Sequence, residues 1–169
     1  MPLSIPMDDL IRWNKDTATR WRDLIRAHPE ILSLACDIRG AQNAAQLLQH
    51  IVAVELRYAE RLAGTPETDY DSVSCGTADE IFATHVRALD MLRALLADDS
   101  YDWEREVDFA TLSMGKLRAT RRDILLHLLF HGIRHYAQLA TLVRSAGIKP
   151  GWPMDFLFVN ARQVSPPGS

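Results

Sequence analysis

The sequence has little of what several common classes of protein require. It contains only 2 cysteines in 169 residues, Cys36 and Cys75, and these are far apart and form no CxxC pair. This spacing excludes a disulfide framework and a zinc finger, and it predicts free thiols in a reducing cytoplasm. No run of about 18 apolar residues occurs, and no basic flank precedes an apolar segment at the start. We therefore expect neither a membrane-spanning helix nor a signal peptide.

An excess of basic charge is also missing. The formal net charge is -3, from 19 Lys+Arg and 22 Asp+Glu. Nucleic-acid binding requires a clustered basic face, so neither nucleic acid nor a membrane is expected as a partner. Hydrophobic residues make up 47% and charged residues 24%, as in an ordinary globular domain. We expect one domain over residues 1–169, with residues 163–169 as a frayed tail.

Four stretches have apolar residues at helical spacing, and glycine or proline separates them. They span about Met7–Arg26, Ala41–Ala63, Thr77–Leu96 and Thr120–Ala146. The third opens with Thr77-Ala78-Asp79-Glu80, the pattern of a capping box. These stretches predict an all-α fold, a four-helix bundle in which a metal site can form between facing helices.

Two smaller elements are predicted after the third helix. Val107-Asp108-Phe109 and the segment after Met114-Gly115 form a short hairpin between the third and fourth helices. A short terminal helix over residues 151–158 packs aromatic side chains on the bundle.

Half of the chain's 6 histidines lie in the fourth helix, four residues apart: His127, His131 and His135. This spacing stacks them on one face, and neutral imidazole is a common ligand of divalent metals. The rise from first to last is about 12 Å, too far for one ion with bonds of about 2 Å. The helical phase turns His131 and His135 toward the apolar side and His127 toward a polar edge. The pair His131 and His135 is therefore the predicted half-site.

His50 is the best third ligand, because it lies at the edge of the apolar stripe of the second helix. Its rival is His85, in the middle of the apolar face of the third helix. A lone histidine on a core face more often donates to a carbonyl or a carboxylate. Three histidines would leave positions open for water or substrate, as catalytic sites require. HExxH and ExxH patterns are absent, which disfavours a metalloprotease and a di-iron bundle.

Glu55 is unusual because its phase places it on the apolar side of the second helix. It could orient a metal ligand or act as a general base. An ion pair with an arginine of a neighbouring helix is the favoured interpretation.

Several motifs together resemble those of the DinB/YfiT-like superfamily. The second helix carries Leu47-Leu48-Gln49-His50-Ile51, and the fourth carries His127-LLF-His131-GIR-His135-YAQL after the opening Thr120-RRD. Trp13-Asn14 resembles the opening motif, and Gly147-IKPGWPMDF resembles the closing segment. The order and spacing match over nearly the whole chain, and the combination is more specific than any single motif.

The resemblance implies a four-helix bundle, often a homodimer, with one divalent metal ion. Carried over by position, the ligands are His50, His131 and His135, and His127 corresponds to a histidine that does not bind the metal. Zinc or nickel is the expected ion, with iron, manganese and cobalt as alternatives. Members include transferases and isomerases that act on small molecules with a low-molecular-weight thiol.

Three functions remain open from the sequence. The first is a metal-dependent, thiol-dependent transferase or a hydrolase, in which His127, Arg134 and Glu55 are candidates to orient substrate or move protons. The second is a non-catalytic metal-binding or dimeric interaction module, in which the ion only holds helices together. The third is a bundle without metal, in which the histidines bond to one another and to water. No thiol-binding motif is recognisable, so the substrate class follows from the resemblance alone.

Overall fold

Four helices form the body of the molecule in a computed structural model that describes residues 6–111, 114–162 and 164. They are α1 (Met7–Ala27), α2 (Ala44–Ala63), α3 (Ala78–Leu96) and α4 (Arg121–Ser145). The α2 helix packs against both α3 and α4, and α1 packs against the same two helices. The predicted bundle is confirmed, and α2 and α4, which carry the candidate ligands, are neighbours.

The helix ends follow from capping residues that the sequence displays. Thr77 and Glu80 form the predicted capping box at the start of α3. Thr120 accepts a hydrogen bond from the backbone of Asp123 and caps α4. Each cap satisfies a backbone N–H that has no partner inside its helix. The caps therefore fix where the helix that carries His131 and His135 begins.

Two antiparallel hairpins accompany the helices, so the all-α prediction is corrected to a mostly helical fold with two small sheets. Strand β3 (Glu106–Thr111) pairs with β4 (Gly115–Thr120), as predicted. Strand β1 (Ala35–Ile38) pairs with β2 (Ala41–Asn43), which was not predicted. The second helix consequently begins at Ala44 and not at Ala41. These strands are too short to show alternation, and their two-residue turn lacks the usual Asn-Gly or Asp-Gly signal.

Buried apolar residues form two clusters, one toward each end of the bundle. The first contains Trp21, Ile51 and Val143, and the second contains Leu56 and Leu128, among others. Where the helices pass from one cluster to the other they carry buried polar residues or a glycine, and four of these meet around the Glu55 carboxylate: Asn14, Glu55, His85 and Gly132. We call these four residues the polar layer. The three with polar side chains are almost completely buried.

The segment after α4 packs on the bundle with its aromatic residues, as predicted. Trp13 Nε1 donates to the carbonyl of Met154 at 2.9 Å, and its ring lies 5.3 Å from that of Phe156. The predicted helix is a single 3-10 turn, Phe156–Val159. Of the predicted tail, residues 163–169, all but Val164 lie outside the described residues.

Cys36 and Cys75 are both free thiols, as expected. No helix within the described ranges has the combined length and apolarity needed to cross a membrane.

Candidate metal centre

The structure brings His50, His131 and His135 together between α2 and α4. One possible ligand atom of each lies within 4.8 Å of the others. The ring centroids are 4.9 Å apart for His50 and His131, 5.0 Å for His50 and His135, and 4.5 Å for His131 and His135. His50 and His131 are 81 positions apart in the chain. Packing of the two helices therefore builds a cluster that could hold a metal ion.

The spacing of the imidazole nitrogens fits a metal. The Nε2 atoms of His50 and His131 are 3.1 Å apart. Two nitrogens bound at about 2.0–2.1 Å to a tetrahedral zinc ion lie about 3.3 Å from each other. Three imidazoles are also a donor set that zinc, nickel and related ions accept. Both the distance and the chemistry of the ligands are suitable.

Neighbouring side chains favour the tautomer that a metal needs. His135 Nδ1 lies 2.6 Å from Gln138 Oε1, which can only accept, so Nδ1 carries the proton and Nε2 keeps its lone pair. His50 Nδ1 lies 3.3 Å from the hydroxyl of Tyr70 and can donate to it. The Nδ1 atom of His131 is buried without a hydrogen-bond partner in the described part of the chain. Two of the three imidazoles are thus oriented by a second side chain.

The environment of the cluster keeps the imidazoles neutral. Burial lowers the pKa of His50 to about 4, with further contributions from His135 and the arginines Arg39 and Arg134. Burial, and then the neighbouring histidines, lower the pKa of His131 to about 2. The pKa of His135 is also lowered, mainly by burial. At neutral pH all three are in the form that binds a metal.

His127 lies beside this cluster and not within it. His127 is exposed, with its ring 5.6 Å from that of His131 and 5.3 Å from that of Tyr58. Partial burial, and then the charge of Arg134, lower its pKa. The position agrees with the helical phase, which turns His127 away from His135.

One arginine contacts the cluster, and the charge of a second acts on it. Arg134 is exposed, and its Nη2 atom donates to Nε2 of His135 at 3.0 Å. Arg39 lies in the turn between β1 and β2, and its charge reaches His50 and His135, lowering the pKa of each. Sequence reasoning identified Arg134 but not Arg39, because Arg39 belongs to the hairpin that was not predicted.

Glu55 and His85 form a buried pair, so the predicted arginine partner of Glu55 is wrong. His85 Nδ1 donates to Glu55 Oε2 at 2.7 Å, and Asn14 Nδ2 donates to Glu55 Oε1 at 3.1 Å. Glu55 is 1% exposed and His85 4%. The expectation that His85 donates to a carboxylate is confirmed, and His85 is not part of the three-histidine cluster.

Gly132 places α4 directly against this pair. A Cβ atom at Gly132 would lie 3.0 Å from Glu55 Oε1 and 3.3 Å from Asn14 Nδ2. A side chain at this position would therefore push α4 away from α2, and the displacement would occur beside the adjacent residue His131.

Two depressions of the described surface lie away from the histidines. One lies between α1 and α3 and includes Asp8, Arg12 and Arg93. The other is beside the start of α3 and includes Pro29 and Asp79. The cluster instead approaches the surface through His50, which is only partly buried, and through the exposed Arg134 and Gln138.

Comparison with known protein families gives a match over nearly the whole chain. The sequence profile of the DinB family aligns with residues 3–163. No curated protein is significantly similar to the chain.

Proposed function

The chain belongs to the DinB family, and on that premise we propose that His50, His131 and His135 bind one divalent ion that serves a thiol-dependent transfer or a hydrolysis. Zinc or nickel is the proposed ion. The observation that carries the proposal is the three-histidine cluster, which includes no fourth His, Cys, Asp or Glu of the described residues. Such a ligand set leaves at least one coordination position for water or substrate. A bound ion would lower the pKa of a thiol or a water molecule there.

The surrounding residues have distinct proposed roles. Arg134 is exposed beside His135 and would orient a substrate. His127 is exposed and one helical turn from His131, and its lowered pKa keeps the ring neutral at pH 7, so a ring nitrogen is free to accept a proton. Glu55 is held in the core by His85 and Asn14, which makes it a positioning residue and not a general base.

A non-catalytic role for the ion is the second candidate. His50 belongs to α2, and His131 and His135 belong to α4, so an ion bound by all three would join the two helices without any substrate. Under this alternative, removing the metal would lower stability, and no small molecule would enter the coordination sphere. Such a protein would act through assembly, for which a homodimer is the proposed form.

Metal analysis of the purified protein tests the site. We expect one equivalent of metal in the wild type, retention in His127→Ala and loss in His131→Ala. The two substitutions are matched, since both remove an imidazole from the same helix. Absence of stoichiometric metal, together with no rise in Tm on adding Zn²⁺ or Ni²⁺, would overturn the proposal.

Thiol chemistry is tested with glutathione, bacillithiol and mycothiol, each offered with a set of electrophiles. We expect conjugation with at least one thiol that is lost in His131→Ala and on treatment with a chelator. If metal is bound but no thiol supports turnover, the transferase is excluded, leaving hydrolysis or the non-catalytic role.

A further inference from the structure

We propose that the centre takes an anionic ligand, a carboxylate, whose oxygens are bound by Arg39 and Arg134 beside the metal ion. This inference rests on the metal site of the proposed function and adds the chemical class of its ligand. Three features carry it: the contact of Arg134 with a ligand histidine, the strained turn that holds Arg39, and the charge balance of the centre.

Arg134 donates a hydrogen bond to Nε2 of His135, the atom that would bind a metal ion. Its Nη2 donates to His135 Nε2 at 3.0 Å, and the Nδ1 of that ring already bonds to Gln138. A metal bound at Nε2 would occupy this lone pair, so the guanidinium would lose its acceptor. The exposed Arg134 would then lie beside the ion with donors free for another acceptor.

Arg39 has an unfavourable backbone conformation in the turn of the hairpin that packs on α2. It is the only residue other than glycine with a positive φ in the described part of the chain, at 56°, followed by Gly40 at 81°. Asparagine or glycine suits this position of a two-residue hairpin better than arginine. Residues in such conformations cluster at functional sites. The β1–β2 hairpin packs on α2, and the charge of Arg39 reaches both His50 and His135.

Among the described residues, the three-histidine cluster itself includes no carboxylate. Three neutral imidazoles leave the full charge of a divalent ion, and two guanidinium groups add to it. Within the described ranges, neither Arg39 nor Arg134 forms an ion pair. Glu55 lies in the core, where His85 and Asn14 donate to its two oxygens, and it forms no ion pair with Arg39 or Arg134. A carboxylate would balance the charge, and the planar fork of arginine binds it well.

Acetate binding to the cobalt-substituted protein tests the proposal, because the visible spectrum of Co²⁺ reports changes in its ligands. We expect acetate to alter the spectrum of the wild type, and Arg134→Gln and Arg39→Gln each to weaken acetate binding about tenfold. Both variants should bind Co²⁺ at least as tightly as the wild type, since each loses a neighbouring positive charge. Arg144→Gln, an exposed arginine on α4 about 15 Å from Arg134, is the matched control.

The outcomes separate the two proposals. If Co²⁺ does not bind, the metal site itself is wrong. If Co²⁺ binds but acetate has no effect, or binds equally to Arg134→Gln and the wild type, the anion site is overturned. A variant that loses Co²⁺ as well as acetate would also count against it, since the arginine would then only support the ligand histidines.

Two thiols identify where the carboxylate resides. Mercaptoacetate carries a thiol and a carboxylate, and mercaptoethanol carries the thiol alone. A preference for mercaptoacetate that disappears in Arg134→Gln places the carboxylate on the thiol compound. Simultaneous binding of acetate and mercaptoethanol places it on a separate substrate. If neither result is obtained, a thiol is not a ligand of the centre, and the acetate experiment alone decides whether Arg39 and Arg134 bind a carboxylate beside the ion.

Discussion

Substituting Gly132 by alanine should change stability in a direction that depends on Glu55. Alanine is favoured over glycine inside a helix by about 1 kcal/mol. The added Cβ, however, would lie 3.0 Å from Glu55 Oε1, closer than carbon and oxygen normally approach. Glu55 cannot easily withdraw, because His85 and Asn14 hold its two oxygens at 2.7 and 3.1 Å. Overpacking of this kind costs about 1–3 kcal/mol, so we expect Gly132→Ala to lower the free energy of unfolding by up to about 2 kcal/mol.

The clash should disappear when the carboxylate is removed. Glu55→Ala alone should cost about 3–5 kcal/mol, because His85 and Asn14 lose their buried acceptor. In that background Gly132→Ala should be neutral or stabilising by up to about 1 kcal/mol, since only the helical preference remains. The coupling between the two positions should therefore be about 1–3 kcal/mol, within the range measured for residues in contact.

Urea unfolding of the four proteins in this cycle, followed by circular dichroism, measures the coupling. Work at about 15 °C, near the usual maximum of stability, keeps the Glu55→Ala proteins folded. If Gly132→Ala stabilises the wild type as much as it stabilises Glu55→Ala, the close approach of α4 to Glu55 is refuted. Gly132→Ala should also bind Zn²⁺ more weakly than the wild type, because the added methyl group displaces the part of α4 that carries His131.

Two further predictions concern the histidine cluster. The metal-free protein should lose stability as the pH falls from about 6.5 toward 4. The pKa of His50 is near 6.5 in the unfolded chain and about 4 in the folded protein, so the unfolded state binds protons first. A Tm of the wild type that stays constant over this pH range, measured in the presence of a chelator, would contradict this prediction. Saturating Zn²⁺ should raise the free energy of unfolding by about 2.7 kcal/mol at one hundred times Kd, and His131→Ala should abolish the rise while His127→Ala keeps it.

Much of this architecture is predictable from the sequence because it is local. Helices α3 and α4 begin at their predicted caps, since a cap is formed by residues three positions apart. The burial of His131 and His135, and the exposure of His127, follow from helical phase, which depends only on spacing. The prediction of His50 as the third ligand required only that the apolar face of α2 pack against α4.

The rest depends on which side chains of different helices meet, and phase alone does not determine that. Glu55 was assigned to the core side of α2, but its partner was expected to be arginine and is His85. Arg39 was missed because the β1–β2 strands are too short for a pattern, and arginine is not a usual residue for such a turn. Both cases require the distance between elements, which no single segment of sequence specifies.

The polar layer connects the packing of the bundle to the metal centre. A slip of α4 by one turn, about 5.4 Å, would place a larger residue against Glu55 in place of Gly132. The same slip would carry His131 away from His50, because His131 and Gly132 are adjacent on α4. Buried polar groups can specify the register of packed helices, since a mismatch leaves them without partners. The space that Gly132 leaves for Glu55 therefore favours the same alignment of α2 and α4 that brings the Nε2 atoms of His50 and His131 to 3.1 Å.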